Sequence, residues 1–168
     1  AGAGARVTHA APPCIAEAIA LAPTLFAPEA YGIWRDQIED APELMYPPIL
    51  ERFRGGRDIT AADYVAGWEE LNRLRADWSL LVAGFDAVIL PTAPILPPDV
   101  DRLLSEPDFF AAENLLTLRN TRIANLLGLP AISLPTGQPA CGIMLMGRAG
   151  HDRGLLTIAA AAEAALRT

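Results

Sequence analysis

The sequence predicts an α/β fold in which helices flank both faces of a mixed sheet. Hydrophobic residues make up 52% and charged residues 20% of its 168 positions, which excludes disorder and suits strands that are buried on both faces. Three short aliphatic runs alternate with longer segments of helical periodicity. The order is helix, strand, helix, strand, strand, helix, without a linker or an internal repeat, so residues 1–168 are expected to form a single α/β unit.

The first sixty residues predict short helices separated by proline and glycine. Pro23 is expected to close the first helix, and Gly55-Gly56 to stop the last one. The predicted segments are a strand end at 6–8 and helices at 15–21, 28–38 and 44–53.

The strongest helical signal covers residues 60–83. Thr60 is a good N-cap and Asp63 is placed to complete a variant capping box. Apolar residues then recur at spacings of three, four and seven, at Tyr64, Trp68, Leu71, Trp78 and Val82. We expect Trp68 and Leu71 to be buried against the sheet, and Gly84 to stop the helix.

The aliphatic runs at 86–90, 131–134 and 142–147 predict three strands, the first two closed by proline. They are apolar enough that we expect interior strands, covered on both sides. A helix at 113–127 is expected to end at Gly128, and Asp152 to cap a final helix. One face of that last helix carries Leu155, Ala159, Ala162 and Leu166.

Charge and cysteine usage restrict the function. The net charge is −7, and all thirteen basic residues are arginine, so we expect neither a nucleic-acid nor an anionic-membrane partner. No stretch predicts a membrane span or a signal peptide. Cys14 and Cys141 are far apart, which favours a reduced, cytoplasmic setting. His9 and His151 lack ligand-spaced neighbours, so neither a metal nor a cofactor is expected.

Four blocks in order carry a family resemblance. They are an Asp-aliphatic-Pro-Thr strand at 86–94, an Asn…Gly-Leu-Pro-Ala turn within 119–135, a Gly-aliphatic-Gly strand at 142–147, and a final helix with Asp152 and Leu155-Leu156. This series resembles the tail of amidase-signature enzymes. The resemblance covers most of the chain, from about Tyr31 onward. It implies the C-terminal portion of an amidase, within an α/β/α layered mixed sheet.

The resemblance also implies chemistry that this chain lacks. The family uses a lysine, a serine in a cis peptide and a nucleophilic serine in a Gly/Ser-rich loop, all N-terminal to the matched region. The chain contains no lysine, and its serines are Ser79, Ser105 and Ser133, none of them in such a loop or in a G-x-S-x-G elbow. We therefore expect the parent protein to hydrolyse small amides and this chain alone to be inactive.

The expected partner is the N-terminal remainder of the amidase or a second copy of the chain. The alternative function is a non-catalytic binding or scaffold module that kept the amidase tail fold. Within the family, the segment 117–120 lacks the acidic residue that is usual before the turn in the glutamine-dependent branch. Arg119-Asn120 is more similar to the branch that acts on small amides and ureas.

Four residues are candidates for substrate binding, each with a structural alternative. Arg119 could hold a substrate carboxylate or lie on a solvated helix face. Thr92 follows a strand, where ligands collect in open α/β sheets, or it stabilises a turn. Asn125 could face the pocket or satisfy carbonyls at the helix end. Tyr31 could reach the pocket or pack as a core aromatic.

Overall fold

A computed structural model describes residues 4–167. Within these residues, eight α-helices surround three strands. The helices are α1 (Pro13–Ala20), α2 (Ala22–Asp40), α3 (Pro47–Arg54), α4 (Ala61–Leu81), α5 (Val100–Ser105), α6 (Pro107–Thr117), α7 (Arg119–Leu127) and α8 (Asp152–Leu166). The strands are β1 (Val88–Pro91), β2 (Ala131–Pro135) and β3 (Gly142–Met146), and two short 3-10 helices cover Pro42–Leu44 and Gly55–Asp58.

The strands form one antiparallel sheet in the order β1-β3-β2. Leu90 and Ser133 both lie opposite Met144 of the central strand. All three strands are formed as predicted, but the expectation that each is an interior strand is wrong for β1 and β2. Within residues 4–167 each of them pairs on one side only, and Ile89 of β1 is 48% exposed.

Helices cover both faces of the sheet, which confirms the predicted α/β class. One face, which includes Met144 and Met146, packs against buried residues of α1, α4 and α7. The opposite face, which includes Leu134 and Leu145, packs against Leu155 and Ala159 of α8. The alternation of side chains along each strand thus sends one apolar set to each helical layer.

The predicted N-cap of α4 is confirmed, and Asp63 bonds back to the Thr60 hydroxyl instead of to its backbone N–H. The Thr60 hydroxyl accepts a hydrogen bond from the Asp63 amide at 3.1 Å and donates one to the Asp63 carboxylate at 2.6 Å. The first contact satisfies a backbone N–H at the helix start that has no partner within the helix, and the second joins the two side chains. The helix ends at Leu81 with Val82 as its C-cap, so it stops before Gly84, where the stop was predicted.

The burial of α4 differs from the prediction at Trp68. Leu71, Leu74 and Trp78 are buried, whereas Trp68 is only half-buried. Trp68 lies edge-on to Tyr64, and the Arg75 guanidinium carbon is 5.3 Å from the centre of the Trp68 ring. Trp78 is the tryptophan that belongs to the core, because spacings of three and four place it on the buried face with Leu71 and Leu74.

Several other boundaries of helices and strands differ from the predicted ones. Pro23 lies in the first turn of α2 instead of ending α1, since proline is tolerated there because its missing N–H is not needed. The predicted helix at 113–127 is divided at Leu118 into α6 and α7. Residues 6–8 form no strand. His151, and not Asp152, is the N-cap of α8.

Among residues 4–167, no helix combines the length and the apolar composition that a membrane span requires.

Candidate functional site

An open cleft of about 390 Å³ lies where β1 and β2 meet α7. Its polar lining consists of Thr92, Thr121, Asn125 and Ser133. Its apolar lining consists of Ala124, Leu129, Ala131, Ile132 and Met144. Two of the predicted site residues, Thr92 and Asn125, therefore line one cleft although they are distant in sequence.

Two hydroxyl groups meet at the sheet end of the cleft. The Thr92 amide donates to the Gly142 carbonyl at 2.9 Å, which continues the pairing of β1 with β3 by one residue. The Thr92 and Ser133 hydroxyl oxygens are 2.5 Å apart and share a hydrogen bond across β3. A Cβ on Gly142 would lie 2.8 Å from the Thr92 oxygen and 2.9 Å from the Ser133 oxygen. The pair therefore depends on glycine at position 142.

The C-terminal end of α7 is held in place by a left-handed glycine and two hydrogen bonds. Gly128 adopts the left-handed conformation with φ 66°, and the Leu129 amide donates to the Ala124 carbonyl at 3.0 Å. The Arg75 Nε donates to the Leu126 carbonyl at 2.8 Å. These hydrogen bonds satisfy the carbonyls of Ala124 and Leu126 at the helix end. The Asn125 side chain is therefore not needed as a donor to these two carbonyls.

The start of α7 is tied to the sheet by a residue to which no sequence pattern assigned a role. The Asn120 amide nitrogen donates to the Pro91 carbonyl at 2.7 Å, one residue before Thr92. Asparagine at a helix start usually indicates capping, so its long-range bond had no sequence signal. Arg119 lies beside it at the exposed N-terminus of α7, outside the lining of the cleft.

Tyr31 lies in α2, also outside the lining of the cleft. Its hydroxyl donates to Glu39 at 3.3 Å, and the Arg57 guanidinium carbon is 5.7 Å from the centre of its ring. Glu39 accepts two further hydrogen bonds from Arg54, at 3.0 and 2.7 Å. Hydrogen bonding by Arg54 lowers the pKa of the Glu39 carboxyl. The structure thus places Tyr31 next to the ion pair between Glu39 of α2 and Arg54 of α3.

Within the described part of the chain, the lining of the cleft carries only uncharged side chains. Hydroxyl and amide groups can orient a ligand by hydrogen bonds, but a serine needs an adjacent base to become a nucleophile. The hydrogen-bond partner of the Ser133 hydroxyl is Thr92. The cleft can bind and position a ligand, and its own residues do not form a nucleophile–base pair.

Neither cysteine enters this cleft. Cys14 is buried in α1, where desolvation raises the pKa of its thiol above the ordinary value of 9.0. Cys141 is an exposed free thiol just before β3. Residues 4–167 contain no group of three histidine, cysteine or acidic side chains that could hold a metal ion.

A family model described as Amidase matches residues 3–156. The chain belongs to the amidase family. This confirms the resemblance to amidase-signature enzymes, and the matched region contains β1, α7, β2 and β3, which frame the cleft.

Curated relatives are found in several organisms. The chain is 29% identical over 126 residues to 2-amino-5-chloromuconic acid deaminase of Comamonas testosteroni, with 73% of this chain and 27% of the relative covered. It is 32% identical over 144 residues to a glutamyl-tRNA(Gln) amidotransferase polypeptide of Saccharolobus solfataricus, with 79% of this chain and 29% of the relative covered. The chain thus spans less than a third of the length of either protein.

Solved structures of two hydrolases share the fold. Allophanate hydrolase of Kluyveromyces lactis superposes with a TM-score of 0.82 at 22% identity, covering 94% of this chain and 26% of that one. A 6-aminohexanoate cyclic dimer hydrolase complexed with substrate gives a TM-score of 0.76 at 24% identity, covering 99% and 39%. In each case the solved chain is much longer than the region that this chain matches.

Proposed function

We propose that this chain is part of an amide-bond hydrolase, in which it supplies sheet scaffold and one wall of the substrate pocket. The observation that carries the proposal is the cleft at the ends of β1 and β2, in a chain that belongs to the amidase family. Serine acyl transfer would then be performed by residues elsewhere in a longer protein, which fits the coverage of 27% and 29% of two relatives.

The serine hydroxyls of the chain support this division of labour. Ser79 donates to the Arg75 carbonyl at 2.9 Å, and Ser105 donates to the Asp101 carbonyl at 2.7 Å. Ser133 is paired with Thr92. All three hydroxyls are thus used in hydrogen bonds to groups that cannot act as a base, and the sequence contains no lysine that could do so.

Within that pocket we propose Thr92 and Asn125 as substrate contacts. Arg119 stays a proposed anchor for a substrate carboxylate, because it begins the helix that carries Asn125. Tyr31 stays a proposed pocket residue only in the longer protein, since its contacts with Glu39 and Arg57 favour a structural role here. The proposed substrate is a small amide, and the proposed compartment is the reducing cytoplasm.

Amide hydrolysis tests the proposal directly. The purified 168-residue chain is incubated with a panel of small amides, alone and together with an N-terminal amidase segment that contains the lysine and the serine-rich loop, and ammonia release is followed. We expect no turnover by the chain alone and turnover by the combination. Robust hydrolysis by the chain alone that is lost in Ser133→Ala would contradict the proposed division of labour.

The second candidate function is a non-catalytic binding module. It is favoured by the same uncharged cleft, which has hydrogen-bonding groups but no nucleophile–base pair among the described residues. This function would be favoured if the chain binds amides but shows no turnover after the N-terminal segment is supplied.

A further inference from the structure

We infer that one water molecule binds between α4, β1 and β3 and joins the Trp78 indole nitrogen to the Asp86 carboxylate. Trp78 is 2% exposed, and its Nε1–H has no hydrogen-bond partner among residues 4–167. The water site lies at the start of β1, whereas Thr92 and the cleft lie beyond the end of that strand. It is therefore separate from the proposed substrate pocket and independent of the proposed function.

The indole nitrogen of Trp78 needs an acceptor. An indole N–H can only donate, and burial of a donor without an acceptor is unfavourable. Buried polar groups in folded proteins are therefore almost always bonded, either to another protein group or to an ordered water. The ring is not free to turn toward solvent, because Trp78 belongs to the same packed core cluster as Leu74 and Met146.

The main-chain acceptors around the end of α4 have other partners. The Trp78 carbonyl accepts a hydrogen bond from the Val82 amide at 3.0 Å. The carbonyls of Ala83 and Phe85 accept from the Arg148 guanidinium at 2.7 and 3.3 Å. None of these bonds involves the indole nitrogen, which leaves the space beside the ring as the place for its partner.

A small cavity beside Trp78 has room for one water molecule. The space open to the centre of a water molecule is about 10 Å³, close to the smallest volume in which a buried water is held. Trp78, Asp86 and Arg148 bring polar side chains to its lining, and Val88 and Met146 are among the apolar residues there. A water is bound in such a cavity only where polar groups border it, and this lining meets that condition.

Asp86 provides the acceptor on the other side of the water. It lines the cavity, and in the described part of the chain no hydrogen bond or ion pair engages its carboxylate. A carboxylate only accepts and an indole N–H only donates, so a water that accepts from the indole and donates to the carboxylate satisfies both. Asp86 opens the Asp-aliphatic-Pro-Thr block, and the bridge gives this residue a role in fixing the start of β1 against α4.

Ions suit this place less well than water. A metal cation would meet the hydrogen of the indole N–H, and an anion would meet the carboxylate of Asp86. The lining contains one acidic and one basic side chain, Asp86 and Arg148, so it has no net charge to attract either kind of ion. Water is neutral and both donates and accepts, as the two partners require.

NMR of the 15N-labelled 168-residue chain tests the inference. The Trp78 indole proton is assigned by its disappearance in Trp78→Phe. We expect it to show NOE and ROE cross-peaks of opposite sign at the water frequency, which is the signature of a long-lived bound water. The Trp34 indole, which is 53% exposed, is the control and should show exchange with solvent instead. Absence of the bound-water signature at Trp78 would overturn the inference.

Substitutions of Asp86 test the acceptor. Asp86→Ala removes the carboxylate and should abolish the bound-water signature at Trp78, whereas Asp86→Asn keeps an acceptor oxygen and should retain it. Asp40→Ala is the matched control, because Asp40 is exposed at the end of α2 and lies outside the lining. An undiminished signature in Asp86→Ala would overturn the assigned bridge.

Denaturant unfolding tests the coupling of the two residues. Asp86→Ala should raise the unfolding equilibrium constant of the parent chain about three- to tenfold, as expected for the loss of one hydrogen bond. The same change should have a smaller effect in the Trp78→Phe background, where the donor is already absent. Equal effects in the two backgrounds would overturn the inference.

A chloride titration distinguishes water from an anion. We expect the Trp78 indole resonance to stay in place as chloride replaces sulfate at constant ionic strength, because a neutral water is bound. A saturable shift of that resonance, absent from Trp34, would overturn the inference and assign the cavity to an anion.

Discussion

At the scale of single residues, Gly56 shows how closely two backbones approach. A Cβ at Gly56 would lie 2.2 Å from the Ala27 carbonyl oxygen and 2.7 Å from the Pro28 nitrogen. Both atoms belong to the backbone of α2, which cannot turn aside as a flexible side chain can. Gly56 is thus the position at which the Gly55–Asp58 turn fits against α2.

We predict that Gly56→Ala lowers the free energy of unfolding by about 1–3 kcal/mol, the usual cost of overpacking. Gly55→Ala is the matched control, because no atom lies within 4 Å of its would-be Cβ and its φ is −56°. That change should be neutral or stabilising by up to about 1 kcal/mol, because alanine lowers the conformational entropy of the unfolded chain. Urea unfolding of both variants measures the difference, and equal stabilities would contradict the close approach.

At the scale of elements, the two tryptophans of α4 have different environments. Trp78 is 2% exposed and belongs to the cluster that packs on the sheet. Trp68 is half-buried and is covered on one side by Arg75. The same helix therefore contributes one tryptophan to the core and one to the boundary of the core.

We predict that Trp78→Ala lowers the free energy of unfolding by about 3–5 kcal/mol, as for a large residue removed from a core. Trp68→Ala should cost less, about 1–2 kcal/mol, because it removes partial burial and one cation–π contact. Denaturant unfolding of the two variants under identical conditions checks the ranking. A larger loss for Trp68→Ala would mean that the orientation of α4 differs from the one described.

The link between α2 and α3 is ionic and should depend on pH. Hydrogen bonds from Arg54 lower the pKa of Glu39 below its ordinary value of 4.5. A carboxyl whose pKa is lower in the folded state stabilises that state above the unfolded value, and this contribution is lost as the pH falls through the folded value. The stabilising effect of Glu39 should therefore be complete above pH 4.5 and decline below it.

Glu39→Gln provides the test. We expect the difference in unfolding free energy between the parent chain and the variant to be constant from about pH 7 to about pH 5.5 and to shrink toward about pH 3. The difference should also be small and salt-dependent, because the pair is partly exposed. A difference that is independent of pH over this whole range would contradict the assigned ion pair.

At the scale of the whole molecule, the sheet has two edges. Within residues 4–167, β1 and β2 each pair only with β3, and Ile89 projects from β1 with 48% of its surface exposed. Unpaired strand edges recruit other strands. In the proposed hydrolase, the rest of the protein would meet these edges.

We therefore predict that the purified chain associates with itself at micromolar concentration, measured by light scattering. Ile89→Lys places a charge on the β1 edge and should reduce the association. Val65→Lys is the control, since Val65 is also exposed at 58% but lies on α4. A monomeric parent chain with a cooperative melt would contradict the prediction and favour an independently folded module.

Local signals made much of this fold predictable. Short aliphatic runs predict the three strands, and Thr60 and Asp63, which are three residues apart, predict the start of α4. Boundaries were less predictable, because proline both ends and begins helices. The break at Leu118 between α6 and α7 had no proline or glycine to mark it.

The candidate site was predictable only in part. The place of Thr92 after a strand and of Asn125 at a helix end predicts pocket residues, and both line the cleft. The bonding partner of Thr92 is Ser133, 41 positions away, and Asn120 bonds to Pro91 across 29 positions. Neither pairing leaves a periodic signal in the sequence, because strand register and helix docking create both.

The sequence by itself determined the family, the α/β class and the absence of a lysine, because composition, periodicity and block order are properties of the chain. Tertiary structure decided which face of each element is covered. It buried Trp78 more deeply than Trp68, left β1 and β2 at the edges of the sheet, and joined Thr92 to Ser133 above Gly142. These outcomes depend on contacts between distant segments, whose geometry is defined only when the helices pack against the sheet.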